Sequence, residues 1–249
     1  METKYPPIPE KIWQLQVISN GVSGIVLKIS DTAVVKIALG EENRPALDTE
    51  YAIYQRLGHH PSITKLFYQQ NGMLVLERLQ YPLRKRLHDL SDMGKVPPTT
   101  DILRWALQIT DALHYVHSCG ILQVDIGAHN ALLDWEDNLK LCDFAGSSID
   151  GSTPTVFPSR KSQNPNIPDG EPSVKSEIFA LGSMLYEVET TKQPYHDKSD
   201  SDVTKLFSRG DFPDVSTLIL GNVIARCWKL EYERILEIMN DVKLIWDKI

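Results

Sequence analysis

The chain has 249 residues, of which 42% are hydrophobic and 24% charged, the composition of a folded domain and not of a disordered tract. With 26 Lys and Arg against 33 Asp and Glu, the formal charge of −7 argues against a surface given over to nucleic acid or anionic membrane. No apolar run reaches the roughly 20 residues of a bilayer span, no signal-peptide core is visible, and the isolated Cys119, Cys142 and Cys227 suit a reducing compartment better than a disulfide framework or zinc site; the expectation is an intracellular protein of cytoplasm or nucleus, with no nucleic-acid or membrane partner.

Strands come first. An apolar pattern starts at residues 12–17, and residues 25–29 and 33–37 are β-branched runs separated by the turn signal Ser30-Asp31-Thr32. Asn43-Arg44-Pro45 reads as a helix start, Leu47, Tyr51, Tyr54 and Leu57 recur at helical spacing, and Gly58 is the expected stop. Residues 66–68 and 73–76 are two further strands around Asn71-Gly72, a strong hairpin signal. After about Arg78 the character turns helical. Ile102, Ala106, Ile109, Leu113 and Val116 form one stripe that ends before Gly120. A small hairpin is expected from residues 131–133 and 139–142. Residues 147–172 are rich in Ser, Thr, Pro, Asn and Gly and have no apolar period; a stretch of that kind in a compact domain is usually functional. Helix returns near Ser173, with Ile178, Leu181, Leu185 and Val188 on one face, and the last helix spans about residues 233–247. The layout is a β-rich lobe, a hinge near residues 77–79 and a helical lobe.

Three groups of residues point to chemistry. Ser19-Asn20-Gly21-Val22-Ser23-Gly24 lies between two expected strands, where glycines allow backbone amides to approach phosphate oxygens. The same pattern also suits an ordinary hairpin turn. Lys36 lies inside the apolar run Val34-Val35-Lys36-Ile37-Ala38 and needs a partner if buried, or an edge strand from which to reach water. Glu50 on the following helix is the natural counter-charge, unless it belongs to a solvated helix face. Asp125 and Asn130, in Gln123-Val124-Asp125-Ile126-Gly127-Ala128-His129-Asn130, and Asp143, in Cys142-Asp143-Phe144-Ala145-Gly146, are oxygen donors of the type that hold Mg²⁺ or an incoming hydroxyl. Turn and capping roles are the common alternative for any one of them.

Taken in order, these segments resemble the eukaryotic protein kinase domain from about Ile12 to the C-terminus. Ser19 to Val26 is similar to the glycine-rich loop G-x-G-x-x-G-x-V, with Ser19 in the place of the first glycine; Val34 to Ala38 is similar to V-A-I-K. Residues 74–79 resemble the strand entering the hinge, with Leu76 at the gatekeeper position. Residues 123–130 resemble the catalytic loop H-R-D-x-x-x-x-N, and Asp143-Phe144-Ala145 resembles D-F-G. Residues 177–187 and Arg226-Cys227-Trp228 resemble two later helices of the family. The resemblance implies an α+β, two-lobed protein kinase-like fold: one domain over residues 1–249, a sheet lobe over 12–78, a helical lobe over 79–249 and an activation-type segment over 143–172. It implies ATP and Mg²⁺, with transfer of the γ-phosphate to hydroxyl groups of a protein substrate. Ser19, Asn20, Gly21, Val22, Ser23, Gly24 and Val26 then cover the nucleotide, Glu77 and Leu79 belong to its hinge side, and Lys36, held by Glu50, contacts its phosphates. Asn130 and Asp143 hold the metal, and Asp125 takes the acceptor proton.

Several positions depart from the family. Gln123-Val124 stands for His-Arg, which removes the usual receptor for an activation-segment phosphate, so activity is expected not to require that phosphorylation. Gly127 stands where Ser/Thr kinases usually place a lysine; the loop is closer in shape to that of tyrosine kinases, with His129 in the place of an arginine. Ala145 replaces a glycine, and Glu171-Pro172 is the nearest remnant of A-P-E. These departures motivate a second reading, a pseudokinase that binds or scaffolds with weak or no transfer. A third is a small-molecule phosphotransferase. His59-His60 and the pair His114 and His117 lack the partners of a metal site, and Trp105 and Trp228 suit core packing.

Overall fold

A computed structural model describes residues 5–21, 24–168 and 170–249. Val22 and Ser23, two of the expected nucleotide-covering positions, lie outside these residues.

The N-terminal lobe is built on strands β1 (Val17–Asn20), β2 (Gly24–Lys28), β3 (Ala33–Ala38), β4 (Leu66–Gln70) and β5 (Met73–Glu77). They form one antiparallel sheet in the order β1-β2-β3-β5-β4. Lys36 therefore sits in the middle of the central strand, opposite Val26 on one side and Leu74 on the other, and not on an edge. The expected first strand at residues 12–17 is not formed as such. A single 3₁₀ turn occupies Ile12–Gln14, and the strand begins only at Val17. The leader before it covers the outer sheet face: Ile8 and Leu15 pack there, and the Tyr5 ring stacks on Phe67 at 4.4 Å. That contact uses the apolar residues of the leader for burial instead of pairing.

Helix α1 (Arg44–Leu57) crosses the inner face of the sheet and ends at Gly58, as its spacing predicts. Its inward stripe is Leu47, Glu50, Ile53, Tyr54 and Leu57. Glu50 is thus carried inside by the same periodicity that buries its apolar neighbours.

The C-terminal lobe contains β6 (Tyr81–Pro82), α2 (Leu83–Asp92), α3 (Thr99–Ser118), β7 (Ile121–Leu122), β8 (Ala131–Leu133), β9 (Leu139–Leu141) and β10 (Ser148–Ile149). Helices α4 (Val174–Thr190), α5 (Asp200–Ser208), α6 (Gly221–Trp228) and α7 (Ile235–Trp246) complete it. Strands β6, β8 and β9 form one small sheet, and β7 pairs with β10. Helix α3 packs on α7, and α4 on α6.

Helix α4 starts at a capping box, in which Ser173 and Ser176 each satisfy the other's backbone. It is buried on most sides, yet it carries three buried carboxylates. Each anchors a different neighbour. Glu177 holds the loop after β7, Glu187 forms a two-pronged pair with Arg84 of α2, and Glu189 accepts from the backbone N–H groups of Ile219 and Leu220 at the start of α6. A buried carboxylate is tolerable only with such partners. The loops that carry the candidate site are held from this helix.

Candidate active site

Lys36 is 5% exposed. Its ammonium donates to Glu50 Oε2 at 2.6 Å and to Asp143 Oδ1 at 2.8 Å. Burial works to lower the Lys36 pKa, but the two carboxylates outweigh it and hold the group above its ordinary value. Burial likewise works against ionised Asp143, and Lys36 overcomes it, leaving that carboxyl below the usual range. Burial pushes Glu50 up, with Lys36 opposing. The second oxygen of Glu50 accepts from the Phe144 N–H at 3.3 Å. The buried Phe144 ring meets Tyr54 edge to face at 5.3 Å. Helix α1, strand β3 and the segment at Asp143 are therefore locked to one another through Glu50 and its neighbours.

The loop between β7 and β8 carries Asp125 and Asn130. Val124 has φ 71, a left-handed conformation that a β-branched residue adopts at a cost of order 1–3 kcal/mol. It is held there because its N–H donates to Glu177 Oε1 at 2.6 Å, while Glu177 Oε2 is paired with His117 Nε2 at 2.5 Å. Gln123 donates from Nε2 to the carbonyls of Cys142 and Asp143, at 3.1 and 2.8 Å, and its own carbonyl accepts from the Ser147 hydroxyl. An amide thereby ties the two loops together where the family pattern has an imidazole. Asp125 Oδ2 lies 2.9 Å from His129 Nε2 and accepts from Asn130 Nδ2 at 3.2 Å. The Asn130 amide also reaches the Asp125 carbonyl at 2.9 Å. Among the described residues, no hydrogen bond occupies Asn130 Oδ1, Asp125 Oδ1 or Asp143 Oδ2.

A cavity of about 370 Å³ lies between the lobes and contains Lys36, Glu50, Asn130 and Asp143 in its walls. Ser19, Gly21, Gly24 and Val26 roof it, Leu76 and Leu79 line the hinge side, and Leu132 is beneath. Gly24 has a steric reason: a Cβ there would stand 2.5 Å from the Ile37 carbonyl oxygen on β3. Asn20 departs from expectation. It is exposed on β1 opposite Ile25 and is not part of the cavity wall. Glu77 borders the cavity, but its carboxylate is taken by Lys140 Nζ, at 2.8 and 2.9 Å, and by the Lys65 N–H at 2.7 Å. The backbone N–H groups of Arg78 and Gln80 are bonded to Thr32 and Leu133; among the described residues that of Leu79, between them, has no protein acceptor. Asp125 stands at the margin, attached to the cavity through Asn130 and His129.

Some contributors were not singled out from the sequence as site residues. Tyr54 and Thr64 line the rear of the cavity, and each has a buried hydroxyl without a hydrogen-bond partner among the described residues. Gln123, Glu177, His117 and His129 act through other residues; Gln123 and His129 flank Asp125 in its motif, whereas Glu177 and His117 come from helices α4 and α3 and carry no local signal. His117 serves as the partner of Glu177, and His60 stacks on Tyr115 at 4.6 Å. Trp105 is buried and donates to the Asp137 carbonyl at 2.8 Å. Burial pushes the Cys142 thiol well above its usual range, which makes it a poor thiolate.

Comparison with known proteins agrees with this geometry. A family model described as the protein kinase domain matches residues 14–240. Among curated proteins, a probable serine/threonine-protein kinase of Dictyostelium discoideum is 26% identical over 252 aligned positions, covering 90% of this chain and 27% of that protein. The serine/threonine-protein kinase Nek1 of Mus musculus is 29% identical over 227, covering 83% of this chain and 18% of the relative. Cyclin-dependent kinase 1 of Encephalitozoon cuniculi is 31% identical over 147, covering 54% and 50%. The chain therefore spans half or less of the length of these relatives.

Proposed function

This chain belongs to the protein kinase family, and we propose that it transfers the γ-phosphate of ATP to hydroxyl groups of a protein substrate. The observation that carries the reading is the joined set of Lys36, Glu50 and Asp143, with Asp125 beside it presenting one carboxylate oxygen that has no hydrogen bond among the described residues. The names of the relatives favour Ser and Thr as acceptors.

The geometry supports the following assignment of roles. Nucleotide fills the cavity between the lobe of residues 12–78 and that of 79–249, and residues 143–172 receive the protein substrate. Ser19, Gly21, Gly24 and Val26 cover the nucleotide, while the Leu79 N–H and the backbone at Glu77 face its base. Lys36 meets phosphate oxygens as a cation, kept in place by Glu50. Asn130 Oδ1 and Asp143 Oδ2 are hard oxygen donors without partners among the described residues, which fits Mg²⁺. When bound, that ion supplies charge neutralisation at the phosphates. Asp125 orients the acceptor hydroxyl and takes its proton.

The test is label transfer from γ-labelled ATP with Mg²⁺ to generic protein acceptors. Transfer is expected from the wild type, with a loss of about 10²- to 10⁴-fold in Asp125→Asn. Equal incorporation by both proteins would remove Asp125 from its role. No transfer by either, with nucleotide still bound, would make the protein a binding module of the pseudokinase type.

A further inference from the structure

His129 lies four residues after Asp125, with its Nε2 at 2.9 Å from Asp125 Oδ2. An ionised carboxylate only accepts, so Nε2 carries the hydrogen of that bond. The other nitrogen, Nδ1, is buried and has no hydrogen-bond partner among the described residues. Asp125 is therefore the polar contact that orients the ring. The ring's seat exists because residue 127 is glycine. A Cβ on Gly127 would stand 2.6 Å from both Nδ1 and Cε1 of His129. The same point is 3.6 Å from Arg84 Nη2, and Arg84 is itself fixed by two hydrogen bonds to Glu187, at 2.7 and 2.8 Å. Gly127 and His129 form one steric unit. Asp125 Oδ2 receives His129 and Asn130 together, while Oδ1 receives no hydrogen bond among the described residues.

We propose that His129 is a positioning residue for phosphoryl transfer: by occupying Oδ2 it turns Oδ1 of Asp125 towards the acceptor. The inference rests on the kinase reading above. In the step, the acceptor oxygen bonds to the γ-phosphorus, and the bond from that phosphorus to the β–γ bridging oxygen breaks. ADP leaves with the electron pair, and the hydroxyl proton passes to Asp125 Oδ1. Without His129, Oδ2 keeps only the longer bond from Asn130, at 3.2 Å, and the carboxylate reaches the productive orientation for a smaller part of the time.

The experiment compares wild type, His129→Ala, His129→Gln and Asp125→Asn for kcat and for the KM of ATP, with and without imidazole in the buffer. His129→Ala is expected to lower kcat roughly 10- to 100-fold, with the KM of ATP within about twofold of wild type. His129→Gln, whose Nε2 remains a donor, and added imidazole with His129→Ala are each expected to recover part of the loss. An unchanged kcat in His129→Ala overturns the proposal. So does a loss that neither glutamine nor imidazole repairs, because removal of a donor to Oδ2 is then not its cause. Absence of transfer by the wild type overturns the kinase reading itself, an outcome distinct from an active wild type with an equally active His129→Ala.

Discussion

At the residue scale, Lys36 has the most demanding position. Its side chain is 7% exposed and that of Glu50 is 1% exposed, so neither charge is stable there without the other. Lys36→Met leaves the Glu50 carboxylate buried beside Asp143 without its cation. The expected loss is about 3–5 kcal/mol of folding free energy, read by denaturant unfolding. The pH dependence has a definite sign. Lys36 lies above its ordinary 10.5, so its contribution is whole below pH 10.5 and is lost as pH rises through the raised folded value. Asp143 lies below its ordinary 3.8, so its share is whole above pH 3.8 and is lost as pH falls through the lowered folded value. Glu50, pushed up by burial, favours the fold more when protonated, which trims the acid loss and leaves the alkaline one. Thermal unfolding across pH is expected to show an alkaline decline in the wild type that is smaller in Lys36→Met. An identical decline in both would detach it from Lys36.

At the element scale, the long irregular stretch after Asp143 is held by packing. Val124 borders a pocket with Pro154, Val156, Phe157 and Ile167 and with the polar Gln163, Asn164 and Glu171, and among the described residues no basic side chain is in its wall. The Thr155 N–H donates to the Gly146 carbonyl at 3.1 Å and fastens the segment to the loop of Asp143. A phosphate brought here meets apolar side chains and the Glu171 carboxylate instead of an arginine, which disfavours it. Phosphatase-treated protein is therefore expected to keep its transfer activity to within about twofold. A large loss, restored by rephosphorylation of residues 147–172, would show that another cation serves that phosphate. Helix α4 explains why the adjoining loop keeps its strained Val124: the N–H bond to Glu177 is made from a helix buried on most sides.

At the scale of the whole molecule, the two lobes are joined unevenly. The end of α1 and the loop after it are clamped to the C-terminal lobe. The Tyr115 hydroxyl donates to the Leu57 carbonyl at 2.6 Å, Arg56 pairs with Asp150 at 2.6 Å, the Thr64 N–H donates to the Leu141 carbonyl at 2.9 Å, and the Leu141 N–H donates to the Ser62 carbonyl at 2.8 Å. Across the cavity, Lys36 to Asp143 links the strands to the opposite lobe. A ligand that fills the space adds contacts to both lobes and is expected to stabilise the folded state by mass action, about 2.7 kcal/mol at a hundred times its Kd. Mg²⁺ and ATP together should raise Tm in wild type and in Asp125→Asn, and much less in Lys36→Met. Equal shifts in all three would place the nucleotide away from Lys36. Among the described residues, no helix is long and apolar enough to cross a membrane.

Elements whose signal is local and repeated are legible in the amino-acid order alone. The stripes of α1, α3 and α4, the Asn71-Gly72 hairpin between β4 and β5, and the strand carrying Lys36 all follow from periodicity and turn chemistry. Motif order singled out Lys36, Glu50, Asp125, Asn130 and Asp143 as candidates; the structure joins Lys36 to Glu50 and Asp143, and Asn130 to Asp125. Tertiary structure decided the rest. Helix α2 buries only Leu83 and Leu87, too thin a stripe to read, and β6, β7 and β10 are two residues each. The fate of residues 12–17 depended on a sheet face that its leader covers. The partners of Gln123 and Glu177, and the seat of His129 over Gly127, depend on side-chain direction and on neighbours distant in the chain. Lys36 and Asp143 are 107 residues apart, and no local pattern encodes a contact over that separation; it exists only once both lobes have packed.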